Sequence, residues 1–309
     1  MINRRDFIRS LAICGVAAGA SFRPLKLLAD NKLIKITILH TNDTHSQIDP
    51  LPDTDSKFPG MGGFSRRVSM IKKIRTQEEN VLLFDAGDVF TGSPFFNFYK
   101  GELEYKLMTE MGYNAGTIGN HEFDNGLDEL AKQVSKAGFS IVTSNYDFSA
   151  TPMNGKTEKY KIIRVNGIKL GIYGLGPELE GLVDKKQYAG TIYSDPIEAA
   201  RKMEKMLKHD HHCDYIICLS HIGYDEKIYH PNDVMLAQNT SFTQLIIGGH
   251  SHTFLDKADS RKNMHDKQTD IVQVGWGGIK LGRYDVYFNE KKQIVSCSSV
   301  NIKIFKNQV

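Results

Sequence analysis

Five short apolar runs empty, one after another, into loops that carry Asp, Asn or His. Residues 33–39 lead into Asn42-Asp43-Thr44-His45, and residues 81–84 into Asp85-Ala86-Gly87-Asp88. Residues 115–118 lead into Gly119-Asn120-His121-Glu122-Phe123-Asp124. Residues 215–219 run into Ser220-His221, and residues 245–247 into Gly248-Gly249-His250-Ser251-His252. Each run has the length and composition of a strand. In open α/β sheets, ligands sit beyond the carboxyl ends of the strands, so five strands ending this way form one candidate site.

Between these runs lie helical patterns over residues 66–75, 103–111, 127–136 and 197–207. Residues 160–165 and 168–173 read as a hairpin across Asn166-Gly167. Runs at 271–274, 284–288 and 294–304 close the chain in antiparallel style. Strand–helix alternation predicts a mixed sheet and the hairpins predict antiparallel parts, a combination that two helix-covered sheets accommodate. No Pro/Ser-rich linker interrupts the body, so residues 30–309 read as one domain. With 40% apolar and 24% charged residues the chain is too apolar for a disordered one. No apolar run reaches the ~20 residues of a spanning helix, which excludes a multi-span membrane protein.

The net charge of +3 belongs to the first 29 residues, where five basic side chains face Asp6 alone. The near-neutral remainder offers no electrostatic footprint for a nucleic-acid duplex. Arg4-Arg5-Asp6-Phe7-Ile8 before a mildly apolar stretch at 11–20 resembles the twin-arginine export signal. Residues 1–29 are therefore expected to be a signal segment, with cleavage after Ala20 favoured by Ala18-Gly19-Ala20. That expectation brings the twin-arginine export machinery as a partner and a periplasmic or extracellular location. The cysteines of the body, Cys213, Cys218 and Cys297, allow one bridge and do not make a disulfide framework; Cys218 reads as a small buried hydrophobe.

The donor set is chemically specific. Asp43, His45, Asp88, Asn120, His221, His250 and His252 offer oxygen and imidazole nitrogen and no thiolate. They are too many for one tetrahedral zinc. They suit two cations about 3.5–4 Å apart sharing one carboxylate, with Asp88 as the natural bridge. The nitrogen content argues for zinc, manganese, iron or cobalt over magnesium.

These blocks resemble the five motifs of the calcineurin-like metallophosphoesterases. Gly62-Gly63-Phe64-Ser65-Arg66, Gly92-Ser93-Pro94, Asn120 to Asp124, Gly275-Trp276-Gly277-Gly278 and Leu281-Gly282-Arg283 narrow the resemblance. They are similar to the N-terminal catalytic domain of the 5′-nucleotidase/2′,3′-cyclic phosphodiesterase family over about residues 34–288. The resemblance implies a four-layer α/β/β/α sandwich with two mixed sheets and a dinuclear centre. One metal would take Asp43, His45, Asp88 and His252; the other would take Asp88, Asn120, His221 and His250. His121 would face the substrate phosphate as general acid or electrostatic stabiliser, with Asp124 as its partner and Asn120 as a further substrate contact. The implied activity is hydrolysis of phosphate esters, nucleotides foremost, by in-line attack of metal-bound hydroxide. Cyclic phosphodiesters and sulfur esters are alternatives on the same centre. Family nucleotidases continue into a substrate-binding domain, which is not expected within residues up to Val309; a separate substrate-binding protein is the expected alternative.

Other polar and aromatic residues receive plainer readings. His40 is expected to be a satisfied buried histidine, and His209, His211 and His212 a solvated helix end. Phe95, Phe96, Phe98 and Tyr99 are expected in the core, with base stacking as the alternative. Asp124 has a second reading as a helix N-cap.

Overall fold

The computed structural model describes residues 33–224 and 230–306. The signal segment expected over residues 1–29 lies outside them.

The strands, in chain order, are β1 (Ile34–Thr41), β2 (Val81–Asp85), β3 (Ala115–Gly116), β4 (Ser140–Ile141), β5 (Tyr146–Asp147), β6 (Tyr160–Val165) and β7 (Ile168–Leu175). They continue with β8 (Ile192–Tyr193), β9 (Tyr215–Ser220), β10 (Leu245–Gly248), β11 (Asp259–Lys262), β12 (Gln268–Val272), β13 (Lys280–Phe288) and β14 (Ile294–Lys303). One six-stranded sheet runs β14-β13-β1-β2-β3-β4 and the other β11-β12-β10-β9-β7-β6, while β5 and β8 pair separately. Both large sheets are mixed. β1, β2, β3 and β4 are parallel, whereas β13 and β14 return antiparallel. β7, β9, β10 and β12 are parallel, with β6 and β11 antiparallel at the edges.

Side-chain alternation along each strand divides the interior into three cores. Ile36 and Ile38 of β1 meet Ile217 and Leu219 of β9 between the sheets. Their neighbour Leu39 instead faces Phe64 and Ile71 of the helix Phe64–Gln77, and Met108 of the helix Glu102–Met111. On the far side Ile216 and Cys218 pack on Ala200 and Met203 of the helix Pro196–Lys205 and on Leu236 of the helix Asp233–Asn239. Three cores between four layers are the expected α/β/β/α sandwich.

Most boundaries fall close to the expected ones, and the Asn166-Gly167 hairpin is present, with both turn residues at positive φ. Two helices went unread: Pro94–Tyr99 and Asp233–Asn239. Each is a single short element, too brief for a 3.6-residue period to show. Cys213 and Cys218 are buried free thiols. Among the described residues no helix is long and apolar enough to cross a membrane.

Candidate metal centre

All five polar blocks leave the carboxyl ends of parallel strands: β1, β2 and β3 in one sheet, β9 and β10 in the other. Because these ends face one edge of the sandwich, residues more than 200 positions apart become neighbours. Asp43 Oδ1 lies 3.3 Å from His252 Nε2 and 3.9 Å from His45 Nε2, and the two Nε2 atoms are 2.9 Å apart. Asp88 Oδ2 lies 3.0 Å from His221 Nε2, with His250 completing that group. Asp43 Oδ1 is 3.8 Å from His221 Nε2, so the two groups adjoin. His121 joins Asp88 and His45 through a third group, and its backbone amide donates to Asp88 Oδ1 at 2.9 Å.

The donor set fits a pair of divalent cations on three counts. Buried Asn120 Oδ1 has no hydrogen-bond partner, which is costly unless a cation takes it, and buried His221 Nε2 faces the Asp88 carboxylate 3.0 Å away. The ring orientations suit ligation as well. His221 Nδ1 sits 2.6 Å from the Ala86 carbonyl and His45 Nδ1 3.3 Å from that of Phe90. Each carbonyl accepts the Nδ1 proton, which leaves the Nε2 lone pair facing inward. Finally, Asp43 (φ 48°), His45 (47°), Asp88 (53°), His250 (71°) and His252 (51°) all hold left-handed backbone. That conformation costs a non-glycine residue roughly 1–2 kcal/mol, and such strain gathers at functional sites.

The supporting hydrogen bonds come from residues that sequence reasoning passed over. Asn42 donates to Asp43 Oδ2 and to the Gly275 carbonyl, each at 2.6 Å. The Gln273 amide donates to the Gly249 carbonyl at 2.5 Å, and its oxygen accepts the Thr253 amide at 2.7 Å. Buried Glu122 accepts four backbone amides from two ligand-bearing loops. Asp85 stays outside the centre, accepting instead from Thr41 Oγ1 and the Gly87 amide.

His121 has 38% of its side chain exposed beside the centre. Its Nδ1 lies 2.8 Å from Asp124 Oδ2, which also accepts from Thr91 Oγ1 at 2.5 Å. The Asp124 hydrogen bond lifts the imidazole pKa to about 9 against the opposing effect of burial, with Asp88 adding to the rise. Asp124 is not a helix cap: the helix Gly126–Val134 begins after Asn125, and no side chain caps it.

Two other expectations need correction. His40 is buried with its ring packed against Gly282, but its Nδ1 has no partner. Phe96 is core at 6% exposure, whereas Phe98 and Tyr99 are 80% and 51% exposed. The helix Pro94–Tyr99 has barely two turns and can bury only one side.

A four-layer sandwich with histidines and carboxylates gathered at the ends of its parallel strands defines the metallophosphatase class. Residues 36–254 match the calcineurin-like phosphoesterase family, and the chain belongs to that family. The 5′-nucleotidase of Vibrio vulnificus is 31% identical over 96% of this chain and 57% of its own length. The crystal structure of a 5′-nucleotidase precursor from Thermus thermophilus superposes with a TM-score of 0.79 at 31% identity, over 88% of this chain and 55% of that one. That of the calcineurin-like phosphoesterase YfkN from Bacillus subtilis gives 0.74 at 25% identity, over 89% and 92%. The chain spans about half the length of these 5′-nucleotidases.

Proposed function

We propose that this protein is a dinuclear, metal-dependent phosphoesterase acting on nucleotide-type phosphate esters. The observation that carries the reading is the adjacency of the two donor groups, Asp43/His45/His252 and Asp88/His221/His250, with His121 at their open side. Asp43, His45, Asp88 and His252 would hold one cation. Asp88, Asn120, His221 and His250 would hold the other. Such a pair, zinc, manganese, iron or cobalt, supplies Lewis acidity and activates water for attack on phosphorus.

The chain's own residues do the rest. His121 holds a proton at Nε2, where it can stabilise a phosphoryl oxygen or protonate the leaving oxygen. Asp124 keeps the other proton on Nδ1 and balances the imidazolium charge. Asn120 would add a further substrate contact. That this chain's relatives are 5′-nucleotidases supports a nucleotide as the ester.

The test is His121→Ala assayed on phenyl phosphate and AMP with manganese or zinc. The expected result is a fall in turnover of roughly 100-fold or more with both metals retained. Loss of metal would make His121 a ligand. No turnover by the metal-loaded wild type would overturn the reading.

A second reading rests on exposed Phe98 and Tyr99, which with Pro94 and Phe95 line an apolar hollow of about 510 Å³. The hollow follows directly on Ser93, whose hydroxyl donates to the carbonyl of Ser46 at 2.6 Å, beside His45. A separate substrate-binding protein would cover this face, raise AMP turnover, and lose that effect with Phe98→Glu. The proposal also includes export, resting on Arg4-Arg5; replacing both by Lys would hold the protein in the cytoplasm.

A further inference from the structure

A cleft of about 430 Å³ opens beside His250, walled by Glu178, Glu180, Leu182, Tyr193 and Ile222. Its volume is that of a small-molecule site. The wall is pinned rather than loose. Asn145 exchanges two hydrogen bonds with Gly176, at 2.8 and 2.9 Å, and the Tyr146 hydroxyl donates to the Pro177 carbonyl. Tyr193 follows in a chain of ring contacts: 6.2 Å to Tyr146, and 5.7 Å from there to Phe123, two residues from His121. Gln187, between Leu182 and Tyr193 in the chain, donates to the Asp124 carbonyl at 3.2 Å. The cleft is thus fixed against both His250 and the segment carrying His121 and Asp124.

The chemistry of the wall is one-sided. Leu182, Tyr193 and Ile222 supply apolar surface, and among the described residues of that lining the two glutamates supply the charges apart from the histidines. Burial, and then the carboxylates of Glu178 and Asp195, hold the Tyr193 phenol neutral well above its ordinary range. Lys186, farther along the segment, is paired with Asp184 at 3.1 Å.

We propose that this cleft receives the leaving group of the ester, and that Glu178 and Glu180 favour neutral groups bearing hydroxyl or amino donors while rejecting groups that carry further phosphate. The inference rests on the phosphoesterase reading above. A nucleoside meets both demands: its hydroxyls and amines donate to the carboxylates, and its base lies on Tyr193.

The experiment compares AMP with adenosine 3′,5′-bisphosphate on metal-loaded wild type and on Glu178→Gln/Glu180→Gln. Both side chains are at the surface, so the double variant keeps the fold. The kcat/KM ratio of bisphosphate to AMP is expected to rise roughly tenfold at low salt, and less at high salt, where exposed charges are screened. A wild type that hydrolyses AMP, with a ratio unchanged in the variant, overturns the subsite and leaves the phosphoesterase reading standing. A metal-loaded wild type that hydrolyses neither AMP nor phenyl phosphate overturns both.

Discussion

The Glu122 carboxylate reaches back across the site to accept the backbone amide of Asp88 at 3.0 Å. The same oxygen takes the Gly119 amide at 2.6 Å, and the other takes Val89 at 2.7 Å and Phe90 at 3.2 Å. One buried side chain therefore ties the loop after β2 to the loop after β3, and with them Asp88 to Asn120. Glu122→Gln keeps the shape but turns one acceptor into a donor facing amides. Two buried amides lose their partner, a loss of about 3 kcal/mol. Urea unfolding of the apoprotein would show it, and unchanged stability would contradict this role.

Gly119 tests the packing of the centre. A Cβ there would stand 2.2 Å from Asp88 Oδ1 and 2.6 Å from His221 Nε2. Both atoms belong to buried candidate ligands, so neither can swing aside without leaving the centre. Gly119→Ala is expected to lose at least one equivalent of metal while remaining folded, as read by metal analysis beside circular dichroism. Full metal content would show that the two ligands can shift.

His40 sets part of the acid limb of stability. Burial pushes its pKa down from 6.5 to about 3, so the unfolded chain takes up a proton that the folded one refuses. Its contribution is complete above pH 6.5 and is lost as the pH falls toward 3, by roughly 5 kcal/mol in full. His40→Leu should flatten the stability curve between pH 6.5 and 4. Coincident acid limbs for the two proteins would refute the assignment.

Cation removal should be visible in stability without any assay of turnover. Bound cations stabilise the folded chain alone, by about 2.7 kcal/mol for each site at a hundredfold excess over its Kd. Prolonged chelation is expected to lower Tm by at least about 5 °C, with recovery on adding zinc or manganese. A Tm indifferent to both treatments would count against a metal centre at these residues.

The legible part of the site was its chemistry. Asp43, His45, Asp88, Asn120, His221, His250 and His252 each stand just after an apolar run, where side-chain type and position can be read locally. The helix and hairpin patterns were legible for the same reason, since burial on one face repeats with the element's own period. Glu122 stood in plain view beside His121, yet the amides it accepts begin 34 positions earlier in the chain, at Asp88, and no local pattern marks them. Phe98 and Phe96 are the same residue type two positions apart, and only the packing of one short helix decides which is covered.

From sequence alone came the alternation of strands and helices, the donor set and its likeness to one family, because periodicity and side-chain chemistry are local properties. The tertiary structure decided which donors share a point in space and which carbonyls set the imidazole tautomers. It also decided that Asp124 serves His121 rather than a helix end, and that Glu178 and Glu180 wall a cleft beside His250. Those relations depend on the register of two sheets and the meeting of loops far apart in the chain, and packing in three dimensions alone determines them.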